Sequence, residues 1–285
     1  MRNKNFVAGL SALVLSFSIV GAAHAQSALE RFAVPKAKLI SGPWKKNSAS
    51  STVKVDHSAW DGFLKKYIKT DGRGVNRVAY GRVSGGDKAA LGNYLKALQA
   101  TDVTGLNRNE QFAFWVNLYN ASTVAVALRN YPIKSIRDVK KGVLDFLGPF
   151  NDKVATVNGK TLTLNDIESG IVRPLWKDPR LHYAFNCAAI SCPNLGKQAF
   201  KGDVLNKQLD TAASRFVNNA RGIRFSGGKA TASKIYFWYQ GDFGGSHKSI
   251  INHMKKYAAG DLKAKLASIS KIDKFDYDWT LNDAR

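Results

Sequence analysis

The chain has 285 residues and a formal net charge of +22 at pH 7. That length allows one large domain, or a domain with an appendage, and the charge suits an anionic partner such as an envelope polymer. The sequence contains no nucleic-acid-binding motif, so we expect no nucleic acid partner. Its lysines are scattered rather than clustered, which is also typical of an ordinary solvated surface.

The first 25 residues follow the three-part pattern of a secretory signal peptide. Arg2 and Lys4 precede an apolar run over 6–20, and the small residues Ala23 and Ala25 mark a cleavage site. The apolar run is shorter than the ~20 residues that a membrane span needs. We therefore predict cleavage after Ala25 and a periplasmic or secreted product with no transmembrane segment in the mature chain.

The rest of the chain is predicted to be one domain behind a lead-in. Residues 26–52 are polar and aperiodic, which indicates a loose lead-in, and the domain covers 53–285. Apolar periodicity predicts helices before, between and after short strands, with Asn158-Gly159 as a hairpin turn. Strand-like runs also begin at Leu181 and at Lys234. This order predicts an α+β fold, with helices packed against a short-stranded antiparallel sheet.

One predicted helix, over 108–128, is apolar nearly all round, which is typical of a central buried helix. Asn107 followed by Glu110 resembles a capping box at its start. Glu110, Asn117 and Asn120 lie at spacings that place them on one face of this helix. Buried polar side chains need partners, so we expect this face to contact a second polar segment.

The segment 181–193 is the best candidate for that partner. It starts as an apolar run, collects reactive and amide side chains, and ends at Pro193. We predict that it packs against the polar face of the buried helix. Its polar residues are His182, Asn186, Cys187, Ser191 and Cys192.

Five runs of the sequence together resemble the hallmarks of one bacterial and plant family, called domain of unknown function 547. They are EQFAFWVNLYNA at 110–121, TLNDIE at 163–168, the 180–193 run with His182, Cys187 and Ser191, FWYQGDF at 237–243 and YDWTLN at 277–282. The chain is also distantly similar to papain- and transglutaminase-like thiol enzymes, which pack a nucleophile-bearing helix against an antiparallel sheet. In those enzymes the cysteine opens the buried helix and precedes the histidine, whereas here Cys187 follows His182.

The first functional hypothesis is a thiol-dependent hydrolase or acyl transferase. Cys187 would attack the substrate, His182 would carry the proton, and Glu110 or Asn117 would orient the imidazole. Asn186 or Ser191 could then donate to an oxyanion. The residues expected to bind substrate are Asn120, Asn186, Ser191 and Asp242.

The alternative hypothesis is a non-catalytic envelope binding module, in which Cys187 and Cys192 form a disulfide in an oxidising compartment. A metal site on His182 and the two cysteines, completed by Glu110 or Asp242, matches no zinc spacing. We therefore predict no metal and no cofactor. The expected partner is an anionic envelope polymer or a peptide substrate.

Overall fold

The computed structural model describes residues 34–139 and 148–284, and the domain discussed below belongs to the compact unit Lys36–Arg285. The predicted signal peptide and its cleavage site lie outside the described residues. Within the described ranges the chain forms eight α-helices and seven short strands, which confirms the α+β class. None of these helices combines the length and apolar character needed to cross a membrane.

The helices are α1 (Ser58–Tyr67), α2 (Gly85–Ala100), α3 (Arg108–Asn130), α4 (Arg173–Trp176), α5 (Leu205–Val217), α6 (Lys234–Trp238), α7 (His247–Lys255) and α8 (Gly260–Ala267). The strands are β1 (Ile68–Thr70), β2 (Asn76–Val78), β3 (Lys153–Val157), β4 (Lys160–Thr163), β5 (Ile223–Ser226), β6 (Lys229–Ser233) and β7 (Lys274–Asp276). A π-helix, Asp166–Val172, runs directly into α4.

Helix α3 is the central element, as predicted. Every residue from Glu110 to Leu128 is buried, because apolar side chains cover nearly all faces of the helix and each face needs a packing partner. The Asn107 side chain caps the helix by accepting a hydrogen bond from the Glu110 backbone at 3.0 Å. The helix is therefore the surface against which the neighbouring loops pack.

The strands form three small sheets rather than one. The β1–β2 and β3–β4 pairs are antiparallel, and the predicted Asn158-Gly159 turn joins β3 to β4. In the third sheet, β5 and β6 are antiparallel but β6 and β7 are parallel. Three helices intervene between β6 and β7, and such a long crossover permits parallel pairing.

Two strand predictions are wrong. The run from Leu181 belongs to a 3-10 helix, Pro179–Tyr183, since proline has no backbone N–H for a strand ladder but fits the first turn of a helix. The run from Lys234 is helix α6, whose start is capped by the Ser233 side chain. Local capping overrides the strand-like composition in both places.

Part of the segment predicted as a loose lead-in lies against the domain. Trp44 is only 2% exposed and meets the Trp115 ring edge-to-face at 5.4 Å. The backbone N–H groups of Lys38 and Ile40 donate to the carbonyls of Ser169 and Gly170 in the π-helix, at 3.1 and 3.0 Å. These contacts hold the π-helix, which carries Glu168 into the site described next.

Candidate functional site

Cys187 and Cys192 form a disulfide, and the described residues contain no free cysteine. Cys187 is partly exposed, whereas Cys192 is 2% exposed. The two sulfurs therefore differ in access: an external reagent can approach Cys187, but Cys192 faces the interior. Within the described ranges, no group of three or more His, Cys, Asp or Glu side chains is arranged to hold a metal ion.

Both sulfurs receive hydrogen bonds from the same tyrosine. The Tyr277 hydroxyl lies 3.1 Å from Cys187 Sγ and 3.0 Å from Cys192 Sγ. Disulfide sulfurs carry no proton, so the tyrosine is the donor. The backbone N–H of Cys187 also donates to Cys192 Sγ at 3.0 Å. Burial, helped by the nearby charge of Glu168, raises the pKa of Tyr277 well above its usual value, which keeps the hydroxyl a donor.

The disulfide lies in a tightly held turn. Asn186 Oδ1 accepts from the Ala188 backbone at 3.0 Å, and Asn186 Nδ2 donates to the Pro193 carbonyl at 2.8 Å. Ala188 has a left-handed backbone, with φ of 61°, a conformation that non-glycine residues adopt rarely and often at functional sites. Arg221 donates to the Cys192 carbonyl at 2.8 Å. Side chains on both sides of the turn therefore fix its backbone conformation.

His182 is buried and belongs to a different group of side chains. Its Nε2 lies 2.8 Å from Asp242 Oδ2, and Arg173 Nε donates to the same oxygen at 2.7 Å. The Tyr239 ring stacks on the imidazole, with ring centres 4.0 Å apart. Burial lowers the pKa of His182. Burial alone would raise the pKa of Asp242, but the hydrogen bonds from His182 and Arg173 outweigh it and hold that pKa well below its usual range.

These interactions determine the histidine tautomer. A neutral imidazole has one N–H and one acceptor nitrogen, and the ionised Asp242 takes the N–H at Nε2. The other nitrogen, Nδ1, is then an acceptor. It has no hydrogen-bond partner and lies 3.9 Å from Glu168 Oε1. At 3.9 Å the two atoms lie beyond hydrogen-bond distance.

Glu168 Oε1 lies 3.9 Å from His182 Nδ1, and the charge of Glu168 also acts on the hydroxyls of three tyrosines. Burial raises the pKa of the Tyr119 and Tyr239 hydroxyls well above the usual value, and the charge of Glu168 raises it further. The same charge adds to the effect of burial on the pKa of Tyr277, whose hydroxyl touches both sulfurs. We call this set the tyrosine–carboxylate cluster: Glu168, Tyr119, Tyr239 and Tyr277.

Of the predicted polar face of α3, only Asn120 reaches the 181–193 segment. Asn120 Nδ2 donates to the Ala184 carbonyl at 2.9 Å, and its Oδ1 accepts from the Asn186 backbone at 2.8 Å. Asn117 instead bonds the backbone of Phe200 through both ends of its amide. The expected contact of the whole face is therefore confirmed at Asn120 alone.

Glu110 and Ser191 hold backbone rather than other predicted site residues. Glu110 accepts from the backbone N–H groups of Val55 and Gly202, at 2.7 and 3.2 Å. Ser191 Oγ accepts from the Asp278 backbone at 2.8 Å. Among the described residues, neither side chain forms a hydrogen bond with His182.

The described residues show no hydrogen bond between Cys187 and His182, which bond to Tyr277 and Asp242 respectively. The structure brings His182 to Asp242 and Cys187 to Cys192, with Tyr239 stacked on the histidine and Tyr277 bonded to both sulfurs. Sequence reasoning missed Glu168, Tyr239 and Tyr277 as site residues. The signal that could have found them is the family resemblance, because each lies in one of its quoted runs.

No curated protein and no solved structure matches the chain. The family described as "Protein of unknown function, DUF547" matches residues 103–217. The matched segment includes α3, Glu168, His182 and both cysteines, whereas Tyr239, Asp242 and Tyr277 lie beyond its end. This match supports assigning residues 103–217 of the chain to the DUF547 family.

Proposed function

We propose that this chain is an exported protein whose Cys187–Cys192 pair undergoes thiol–disulfide exchange with a partner dithiol, such as a cysteine pair in a polypeptide. One observation carries the proposal. The partly exposed sulfur of Cys187 is bonded to a buried sulfur that already receives two hydrogen-bond donors, the Cys187 N–H and the Tyr277 hydroxyl. Exchange needs an open sulfur to attack and a stabilised sulfur to leave.

The exchange proceeds in two substitutions. A partner thiolate attacks Cys187 Sγ, a mixed disulfide forms, and the electron pair of the broken bond leaves on Cys192 Sγ. The second thiolate of the partner then attacks the partner's own sulfur in the mixed disulfide and releases Cys187 as a thiolate. The partner is oxidised to a disulfide, the pair is reduced, and the two protons of the partner dithiol are left for the released sulfurs or for solvent.

A hydrolase or acyl transferase is less well supported. That chemistry needs Cys187 as a free thiolate beside a base, but Cys187 is paired with Cys192 and His182 is engaged by Asp242. The similarity to papain- and transglutaminase-like enzymes stays a prediction. Export to the periplasm or beyond is part of the proposal, and the disulfide supports it because disulfides persist in oxidising compartments.

A second candidate function is a binding module with a structural disulfide. A groove of about 510 Å³ supports it, at the start of α3 and lined by residues that include Lys54, Glu110 and Asp203. Lys54 and Asp203 form an exposed ion pair at 2.8 Å there. An envelope polymer could lie in such a groove without any change at the cysteines.

Redox equilibration of the full chain separates these two functions. The protein is incubated in dithiol buffers of graded potential, and the reduced fraction is read by alkylation and intact mass. Exchange predicts a reduction potential above about −300 mV, since structural disulfides of secreted proteins usually lie below that value. A potential below it, with no exchange on the timescale of hours, would reject the proposal and favour the binding module.

A further inference from the structure

The two ends of the disulfide turn are held by different elements of the fold. On the Cys187 side, the backbone N–H of the preceding residue, Asn186, donates to Asn120 Oδ1 of α3 at 2.8 Å. On the Cys192 side, the Cys192 carbonyl accepts from Arg221 Nη1 at 2.8 Å. Once no covalent bond joins the two sulfurs, their separation therefore depends on both sets of contacts.

Arg221 lies between α5 and β5 and binds the turn at three points. Its Nη1 donates to the Ile190 carbonyl at 2.9 Å as well as to that of Cys192. Its Nη2 donates to Asn194 Oδ1 at 2.8 Å, and its Nε donates to Asn219 Oδ1 at 3.0 Å. A guanidinium is planar and presents its donors in a rigid fork, so these contacts hold the Cys192 side of the turn in one arrangement.

We propose that Arg221 is a positioning residue for the exchange: it keeps Cys192 close to Cys187 while the pair is reduced, and so favours re-formation of the disulfide. This inference rests on the proposed function. In the oxidised chain the S–S bond itself closes the turn, so loss of the Arg221 contacts would release little backbone freedom. In the reduced chain no covalent bond joins the two cysteines. The same loss would then give the turn more conformational freedom and stabilise the dithiol.

The positive charge of Arg221 would act in the opposite direction. A cation close to Cys192 favours its thiolate, so loss of that charge would disfavour the reduced pair. Arg221→Lys separates the two effects. It keeps the charge, but an ammonium group is a point charge on a flexible stem and does not reproduce the planar fork that bonds two carbonyls and an amide.

The reduction potential tests this role. The full chain and its variants are equilibrated in dithiol buffers of graded potential, and the reduced fraction is read by alkylation and intact mass. Freeing the backbone of one residue in the reduced form alone changes the equilibrium constant about tenfold, so the potential of Arg221→Lys should lie about 30 mV above that of the unchanged chain. Arg180→Lys is the matched control, because the Arg180 guanidinium bonds Asp178, Asn206 and Asp210 instead. It should leave the potential unchanged.

Failure of the inference and failure of the proposed function give different results. If the unchanged chain exchanges with dithiols but Arg221→Lys leaves the potential unchanged or lowers it, the inference is overturned and exchange stands. If the unchanged chain does not exchange over hours, the proposed function is rejected, and a shift in Arg221→Lys would then describe a structural disulfide. Asn219→Ala is a second variant in case Arg221→Lys does not fold, since it removes the acceptor of Arg221 Nε. It should raise the potential by a smaller amount, and no rise would overturn the inference.

Discussion

Tyr277→Phe is the most informative single substitution. It removes the only side-chain hydroxyl that touches both sulfurs in the described part of the chain, at 3.1 and 3.0 Å. The ring stays packed against both Trp238 and Trp279, each 4.8 Å away between centres. A hydrogen bond to an anion contributes about 1.5–3 kcal/mol and one to a neutral acceptor about 0.5–1.5 kcal/mol. The reduced pair should therefore lose ~1.4 kcal/mol more than the disulfide.

That difference has a measurable consequence. For a two-electron couple, ~1.4 kcal/mol corresponds to ~30 mV, so the reduction potential of Tyr277→Phe should be about 30 mV more negative than that of the unchanged chain. The assay is equilibration in graded dithiol buffers with mass detection. Tyr183→Phe is the matched control, because the Tyr183 hydroxyl bonds Tyr236 and His253 instead of sulfur. An unchanged potential in Tyr277→Phe, or an equal shift in both variants, would show that the Tyr277 hydroxyl does not stabilise the reduced pair.

Three further predictions concern folding. Burial lowers the pKa of His57 and of His253 to about 4 each, so both bind a proton more readily in the unfolded chain. Their contribution to the free energy of unfolding is full above pH 6.5 and is lost as pH falls towards 4, at ~1.4 kcal/mol per pH unit for each. Denaturant unfolding should therefore give a lower free energy of unfolding at pH 5 than at pH 7.5. Gly202→Ala would place a Cβ 2.5 Å from Glu110 Oε2 and should reduce the free energy of unfolding by about 1–3 kcal/mol; an unaltered melt would contradict this close contact. Trp44→Ala should reduce it by about 3–5 kcal/mol, whereas a negligible loss would mean that residues 36–52 do not belong to the folded domain.

The central helix could be predicted because its pattern is local. Apolar residues on every face of 108–128 require burial whatever the partners are, and the structure buries every residue from Glu110 to Leu128. The Asn107 cap and the Asn158-Gly159 hairpin are equally local signals. Short-range patterns therefore gave the α+β class and most of the helices.

The site could be predicted only in part because its contacts are not local. Cys187 and Tyr277 are 90 residues apart, and His182 and Asp242 are 60 apart. A polar face on a helix shows that partners are needed, but not which ones. Asn117 has a backbone partner at Phe200. The π-helix that carries Glu168 also has no sequence pattern of its own, although such turns are often found at functional sites.

The difference in access between the two sulfurs can be measured by their rates of disulfide exchange. Cys192→Ser and Cys187→Ser variants of the full chain are mixed with a peptide whose single cysteine is held in an activated mixed disulfide; the remaining cysteine attacks the peptide sulfur, the activating thiol leaves, and the products are identified by intact mass. We expect rapid transfer of the peptide onto Cys187 in the Cys192→Ser variant and slow transfer onto the buried Cys192 in the Cys187→Ser variant. Equal rates, or no adduct on Cys187, would contradict this expectation.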